Sequence, residues 1–113
     1  MQIQKKEKDT KIHSIKFYAM DNKQEVGHAY LFLIYNQCSG YYYGLLEDVF
    51  VKEEHRKHWV GTRLVDAVII ECKERQLHHL IATSRYSRLH IHQWYKKLGF
   101  KDYGKEFRID FNS

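Results

Sequence analysis

The chain has 113 residues, 19 Lys and Arg against 14 Asp and Glu, and a formal charge of +5. That length suits one domain around a single small core. No apolar run is long enough to cross a bilayer and MQIQKKEKDT lacks the apolar stretch of a signal peptide, so the expectation is a soluble, cytoplasmic protein with no membrane partner.

Two cysteines, Cys38 and Cys72, do not make a disulfide framework. The basic balance favours anionic ligands. There is no proline, and no repeat or low-complexity segment divides the chain. Residues 1–10 read as a polar, frayed tail and 11–113 as one domain.

From Ile12 apolar and polar residues alternate, with Ile15, Phe17 and Ala19 on one side and Ser14, Lys16 and Tyr18 on the other, as in a half-buried strand. Asp21-Asn22 marks a turn. Val26 to Tyr35 forms a second strand and closes a hairpin. Asn36 to Gly40 is a loop. Tyr41 to Val51 is a third strand, interrupted by Glu47 and Asp48 and containing Gly44, whose type in a strand marks a bulge or a close approach. A polar stretch comes next, Lys52 to His58. Val60, Leu64, Val65, Val68, Ile69 and Cys72 then repeat at helical spacing, so a helix runs from near Gly61 to about Gln76 with Cys72 on its buried face.

His79 to Thr83 is a short apolar fourth strand, parallel to the third because a helix joins them. Ser87 is placed to cap a second helix, on which Ile91, Trp94, Tyr95 and Leu98 share a face and after which Gly99 ends the helix. Phe107, Ile109 and Phe111 alternate with Arg108 and Asp110 in a last strand. The expected order is β-β-β-α-β-α-β, an α+β fold with a mixed sheet.

The junction of third strand and first helix carries the chemistry. A helix N-terminus has unpaired N–H groups and the positive end of a dipole. With Arg56 and Lys57 just before it, that end is suited to a phosphate. Arg56-Lys57-His58-Trp59-Val60-Gly61 resembles the R-x-x-G-x-G/A loop of the GNAT superfamily of N-acetyltransferases, and Leu46-Glu47-Asp48-Val49-Phe50-Val51 resembles the strand that precedes it, most of all in the diamine acetyltransferases. Trp59 departs from the pattern, standing in the position of the first glycine. Trp94-Tyr95-Lys96-Lys97-Leu98-Gly99-Phe100 resembles the family's F-Y-x-x-x-G-F helix end. The two motifs stand in the family's order, and the resemblance covers about Ile12 to Phe111, in a minimal form without the first strand and helix pair that usually open the fold.

The resemblance implies acetyl-CoA as acetyl donor and an amine as acceptor. Arg56, Lys57, His58, Trp59, Val60, Gly61 and Thr62 would hold the pyrophosphate, mostly through amides. The pantetheine arm would lie where the third strand splays from its neighbour. Backbone N–H groups of Val49, Phe50 and Val51 would face the thioester oxygen, and Tyr95 would protonate the leaving sulfur. Glu47 is the candidate base, since a carboxylate on a central strand needs a partner or a task. Arg88 stands where the family often has an asparagine, seven residues before the tyrosine, and is a further candidate contact to CoA. From periodicity alone Tyr95 reads as a core residue, and Glu47 equally as half of an ion pair.

Two other readings compete. The first is a CoA-binding protein of the same fold with little catalysis, because of Trp59 and the missing opening helices. The second is a small basic nucleic-acid-binding module with Tyr41-Tyr42-Tyr43 as a stacking platform, which ranks below both. Neither HExxH nor zinc-type cysteine spacing accompanies the eight histidines, so no metal is expected. An acceptor site without the usual helix pair would stand open or be completed by a second subunit, so a homodimer is one of the two arrangements the resemblance implies.

Overall fold

A computed structural model describes residues 1–10, 12–56 and 59–112. Three antiparallel strands, β1 (His13–Asp21), β2 (Gln24–Asn36) and β3 (Tyr41–Val51), lead through a 3₁₀ turn (Glu53–His55) into α1 (Val60–Glu74). A short β4 (Leu80–Ala82) and α2 (Leu89–Lys97) come after it. The sheet order is β1-β2-β3-β4, with β4 parallel to β3. The first six elements appear in the expected order, and the sheet is mixed, as expected of an α+β fold.

The hairpin closes one residue later than expected, at Asn22-Lys23, where both residues have positive φ (49° and 65°). That pair of left-handed residues makes the turn whose twist matches two antiparallel strands. The second loop is tied by Asn36, whose carbonyl accepts the Gly40 N–H at 2.7 Å and whose side chain accepts the Ser39 N–H at 2.9 Å.

Both helices pack on one face of the sheet. Ala29, Leu31, Leu33 and Leu46 from the strands meet Leu64, Val65, Val68 and Cys72 from α1, and Trp94, Tyr95, Leu98 and Phe100 close over the same cluster. Gly44 sits in this layer for a steric reason. A Cβ there would lie 2.9 Å from Leu31 Cδ1 and 3.0 Å from Leu80 Cδ1. The expected thiol on the buried helix face is found: Cys72 is buried, and desolvation there pushes its thiol above the ordinary value.

The helix ends have explicit stops. α1 stops at Glu74 because Gln76 turns left-handed (φ 57°), which lets the N–H groups of Gln76 and Leu77 return to the carbonyls of Lys73 and Cys72. Gly99 (φ 108°) does the same for α2, with Gly99 and Phe100 donating to Lys96 and Tyr95. Ser87 does not cap α2. The helix starts one residue later, with Arg88 at the cap and its carbonyl accepting from Ile91 at 3.0 Å and His92 at 3.2 Å.

The last expected strand does not form. Residues 101–112 carry no regular secondary structure, and Phe107, Ile109 and Phe111 are 89%, 77% and 90% exposed. Alternation gives a segment the capacity for a strand, but a strand also needs a neighbouring edge to supply its hydrogen bonds.

Candidate active site where the parallel strands part

β3 and β4 pair only at Gly44–Leu80, Leu45–Ile81 and Leu46–Ala82. Beyond them the two strands diverge. β3 is also irregular at that point. Tyr30 faces Glu47 but His28 faces Phe50, so β3 carries one extra residue, and Asp48 takes the left-handed conformation (φ 52°). This is a β-bulge, which bends the strand and re-aims the side chains after it. Past Leu46, the groups that β3 turns toward β4 have no strand partner among the described residues.

A cleft of about 210 Å³ opens there, lined by Leu46, Glu47, Asp48, Val49, Thr83, Arg88 and Tyr95. Glu47, Asp48 and Val49 come from the bulge, Thr83 from the chain just past β4, and Arg88 and Tyr95 from α2. The cap of α2 fixes Tyr95, since Phe100, held by the Gly99 turn, lies 5.1 Å from its ring and Trp94 lies 5.3 Å away. Burial pushes the Tyr95 phenol above its ordinary value, and the Arg88 guanidinium pulls it partly back. Glu47 is exposed to the cleft rather than paired in the core, and no ion pair holds it among the described residues.

The loop forms the other half. Trp59 is left-handed (φ 62°), the conformation that glycine adopts freely, so it does occupy a glycine-type position. The residue is 74% exposed and its carbonyl accepts the Arg63 N–H at 3.0 Å, the first bond of α1. Arg56 Nε donates to the Val51 carbonyl at 2.9 Å, tying the loop to the end of β3. A Cβ on Gly61 would meet Trp94 at 3.5 Å and Val51 at 3.7 Å, ordinary contacts, so nothing within the chain requires glycine there. Trp94 Nε1 donates to Thr62 Oγ1 at 2.9 Å, which fastens α2 to the first turn of α1. Lys57 and His58 lie outside the described residues.

The structure thus gathers Glu47, Val49, Arg88 and Tyr95 around one cleft and Val51, Arg56, Trp59, Val60, Gly61 and Thr62 at the adjoining helix start. Phe50 is the exception among the side chains. It is 46% exposed and stands 5.6 Å from His28, its partner across the strands. Thr83, which lines the cleft, and Trp94, which bonds Thr62, are neighbours of the candidate site that the sequence does not assign. Thr83 had only a strand pattern in the sequence, and Trp94, part of the helix-end motif, meets its polar partner Thr62 only in the fold.

A larger hollow, about 370 Å³, lies at the hairpin tip between Met20, Asp21, His55 and Arg63. It shares only Val60 with the expected residues, and the candidate acid and base meet in the smaller cleft, which is therefore taken as the site. The tyrosine run is divided between faces: Tyr41 stacks on His78 (4.0 Å) and Tyr43 on His79 (4.9 Å), while Tyr42 leans on Tyr35 (4.9 Å). It offers no continuous platform. Among the described residues no three His, Cys, Asp or Glu gather as metal ligands, and no helix is long and apolar enough to cross a membrane.

A mixed sheet whose parallel strands part over a polar cleft, beside a basic loop that opens a helix, defines the acyl-CoA N-acyltransferase fold. A family model described as the acetyltransferase (GNAT) family matches residues 2–100, and the chain belongs to that family. Solved structures share the fold. One is a transcriptional regulator from Bacillus halodurans C-125 (TM-score 0.79, 24% identity, 87% of this chain and 66% of that one). Another is glucosamine-6-phosphate N-acetyltransferase from Arabidopsis thaliana (0.79, 15%, 88% and 67%). A third is AAC(6')-Iy in complex with the bisubstrate analogue CoA-S-monomethyl-acetylneamine (0.73, 19%, 89% and 71%). The chain spans about two thirds of the length of these structures. No curated protein matches it in sequence.

Proposed function

We propose that the chain is an acetyl-CoA-dependent N-acetyltransferase acting on a primary amine, in a small molecule or as an exposed amino group. The observation that carries this reading is the parting of β3 and β4 at the Asp48 bulge, with Glu47 and Tyr95 lining the resulting cleft. The family supplies the donor.

Each residue has a distinct task. The unpaired N–H groups of Val60, Gly61 and Thr62 at the start of α1 bind the pyrophosphate, and Arg56 adds charge through its remaining guanidinium donors, with Lys57 and His58 beside it. The missing Cβ of Gly61 leaves room for the phosphate to approach the backbone. Trp59 contributes its amide while its ring stays in solvent. Arg88 adds a cation at the cleft mouth. Backbone N–H groups along Val49, Phe50 and Val51 face the negative charge that builds on the thioester oxygen; for Phe50 the amide, not the ring, is the working group. Removing one such donor typically costs about 10²–10³ in rate. Glu47 takes a proton from the amine, directly or through a water. Tyr95, a protonated phenol in a half-buried place, gives its proton to the departing sulfur.

Calorimetric titration with acetyl-CoA, followed by assay of free thiol release across a panel of polyamines and other small amines, tests the proposal. Binding near one per chain with thiol release is the expected result. Binding without release on any amine would leave a CoA-binding protein, and no binding would remove the reading altogether.

A further inference from the structure

We infer that His28, held by Glu25 across from the bulge, takes on the proton that Glu47 removes from the acceptor ammonium and passes it to solvent. The inference rests on the reading of the cleft as an N-acetyltransferase site.

β2 alternates between the two faces of the sheet. Ala29, Leu31 and Leu33 are buried under the helices, so His28, Tyr30 and Phe32 belong to the opposite face. Partners across two antiparallel strands share a face, and Tyr30 faces Glu47 while His28 faces Phe50. Glu47 and Phe50 are three residues apart, a spacing that sends side chains to opposite faces of a regular strand. The extra residue beside the left-handed Asp48 returns them to one face. The bulge therefore sets the candidate base and His28 on the same side of the sheet. They are diagonal neighbours, a relation in which Cβ atoms lie about 7–8 Å apart. A glutamate and an imidazole span that separation directly or through one water.

The surroundings of His28 suit a proton acceptor. Its Nδ1 lies 3.3 Å from Glu25 Oε2, and Lys16 Nζ donates to Glu25 Oε1 at 2.6 Å. The lysine bond first, and the His28 bond after it, hold the Glu25 carboxyl below its ordinary value. An ionised carboxylate only accepts hydrogen bonds, so Nδ1 carries the proton and Nε2 of the neutral ring presents its lone pair. The rings of Tyr30 and Phe50, 5.5 and 5.6 Å away, wall the imidazole, whose side chain is 25% exposed. Glu25 and Lys16 are thus positioning residues. The pair of Asp21 with His55, at 3.1 Å, borders the hairpin-tip hollow and not the cleft.

The proton count closes. Transfer to an ammonium forms the amide C–N bond, breaks the thioester C–S bond and releases one proton. The ammonium's first proton goes to Glu47, then to Nε2 of His28, where Glu25 offsets the imidazolium charge, and on to solvent. The second proton, lost from nitrogen in the tetrahedral adduct, replaces the one that Tyr95 gives to sulfur.

The test follows thiol release with an aliphatic amine. His28→Asn keeps a donor for Glu25 but has no proton acceptor in the place of Nε2. Its kcat should fall by about 10²-fold, the low end for a proton-transfer group, with KM for the amine, acetyl-CoA affinity and the circular dichroism spectrum unchanged. His28→Ala should lose as much and regain turnover with added imidazole, but not with pyrazole, a weaker base of the same size. A packing role would not tell the two azoles apart. Equal kcat in His28→Asn overturns the inference, and so does rescue of His28→Ala by both azoles or by neither. Failure of the enzymatic reading looks different: the unsubstituted chain then releases no thiol with any amine, and the inference goes with it.

Discussion

Tyr95 is the residue on which the proposed chemistry turns most directly. Its ring is packed between Trp94 and Phe100 while the residue lines the cleft. Tyr95→Phe keeps that packing and removes the hydroxyl, so turnover should fall by about 10²–10⁴-fold with acetyl-CoA affinity nearly unchanged. Equal turnover would take the acid role away. Burial raises the phenol's pKa, so the proton is retained to higher pH than in an ordinary tyrosine, and the basic limb of the rate profile due to Tyr95 should lie above pH 10. The same shift has a sign for stability. Above pH 10 the unfolded chain releases this proton before the folded one does, so stability falls as pH rises through that window and is unaffected below it. The difference in Tm between the protein and Tyr95→Phe should be flat below pH 10 and change above it. Glu47 was legible as a candidate because a carboxylate in an apolar strand demands a reason. The bulge beside it was not, because nothing in Asp48-Val49 announces a left-handed residue. Glu47→Gln should lower kcat/KM and leave acetyl-CoA binding intact. An unchanged kcat/KM would assign the base elsewhere.

At the scale of elements, periodicity located both helices and four of the strands to within a few residues, because burial imposes those periods. It failed where geometry depends on partners. Residues 107–111 alternate like a strand yet pair with no other strand, and Ser87 lost its cap when α2 began one residue later. The loop motif was readable, including the odd residue in it. Trp59 holds a left-handed conformation that costs a non-glycine residue about 1–2 kcal/mol, and glycine would return about 0.4–1 kcal/mol of that through the freer unfolded chain. Trp59→Gly should therefore raise stability by up to about 1 kcal/mol, visible as a small increase in Tm, without weakening acetyl-CoA. A lower affinity would mean that the indole itself touches the ligand. Gly44 looked like a ligand-approach glycine in the sequence, but the leucines around it explain it instead. Gly44→Ala forces a methyl against Leu31 and Leu80, and overpacking of that kind costs about 1–3 kcal/mol. An unchanged Tm would show that the leucines yield freely.

For the whole molecule, the core holds α1 against β2 and β3, and α2 is tied to α1 through the Trp94–Thr62 bond. The proposed ligand would touch all of these at once: phosphates at the start of α1, the pantetheine arm between β3 and β4, the thioester beside α2. Binding should then act as a clasp on the fold rather than on one loop. A ligand that binds only the folded state at a hundred times its Kd stabilises by about 2.7 kcal/mol, which for a domain of this size is a Tm rise on the order of 10 °C. Acetyl-CoA should produce such a rise, and 0.5 M salt should reduce it, since the phosphate contacts are partly screened. The formal charge of +5 spreads over the chain rather than gathering in one stripe, and the tyrosine run is split between faces. Duplex DNA should therefore give no comparable rise at any salt. A shift with DNA that collapses steeply between 50 and 200 mM salt, and none with acetyl-CoA, would reverse the order of the two readings for this fold.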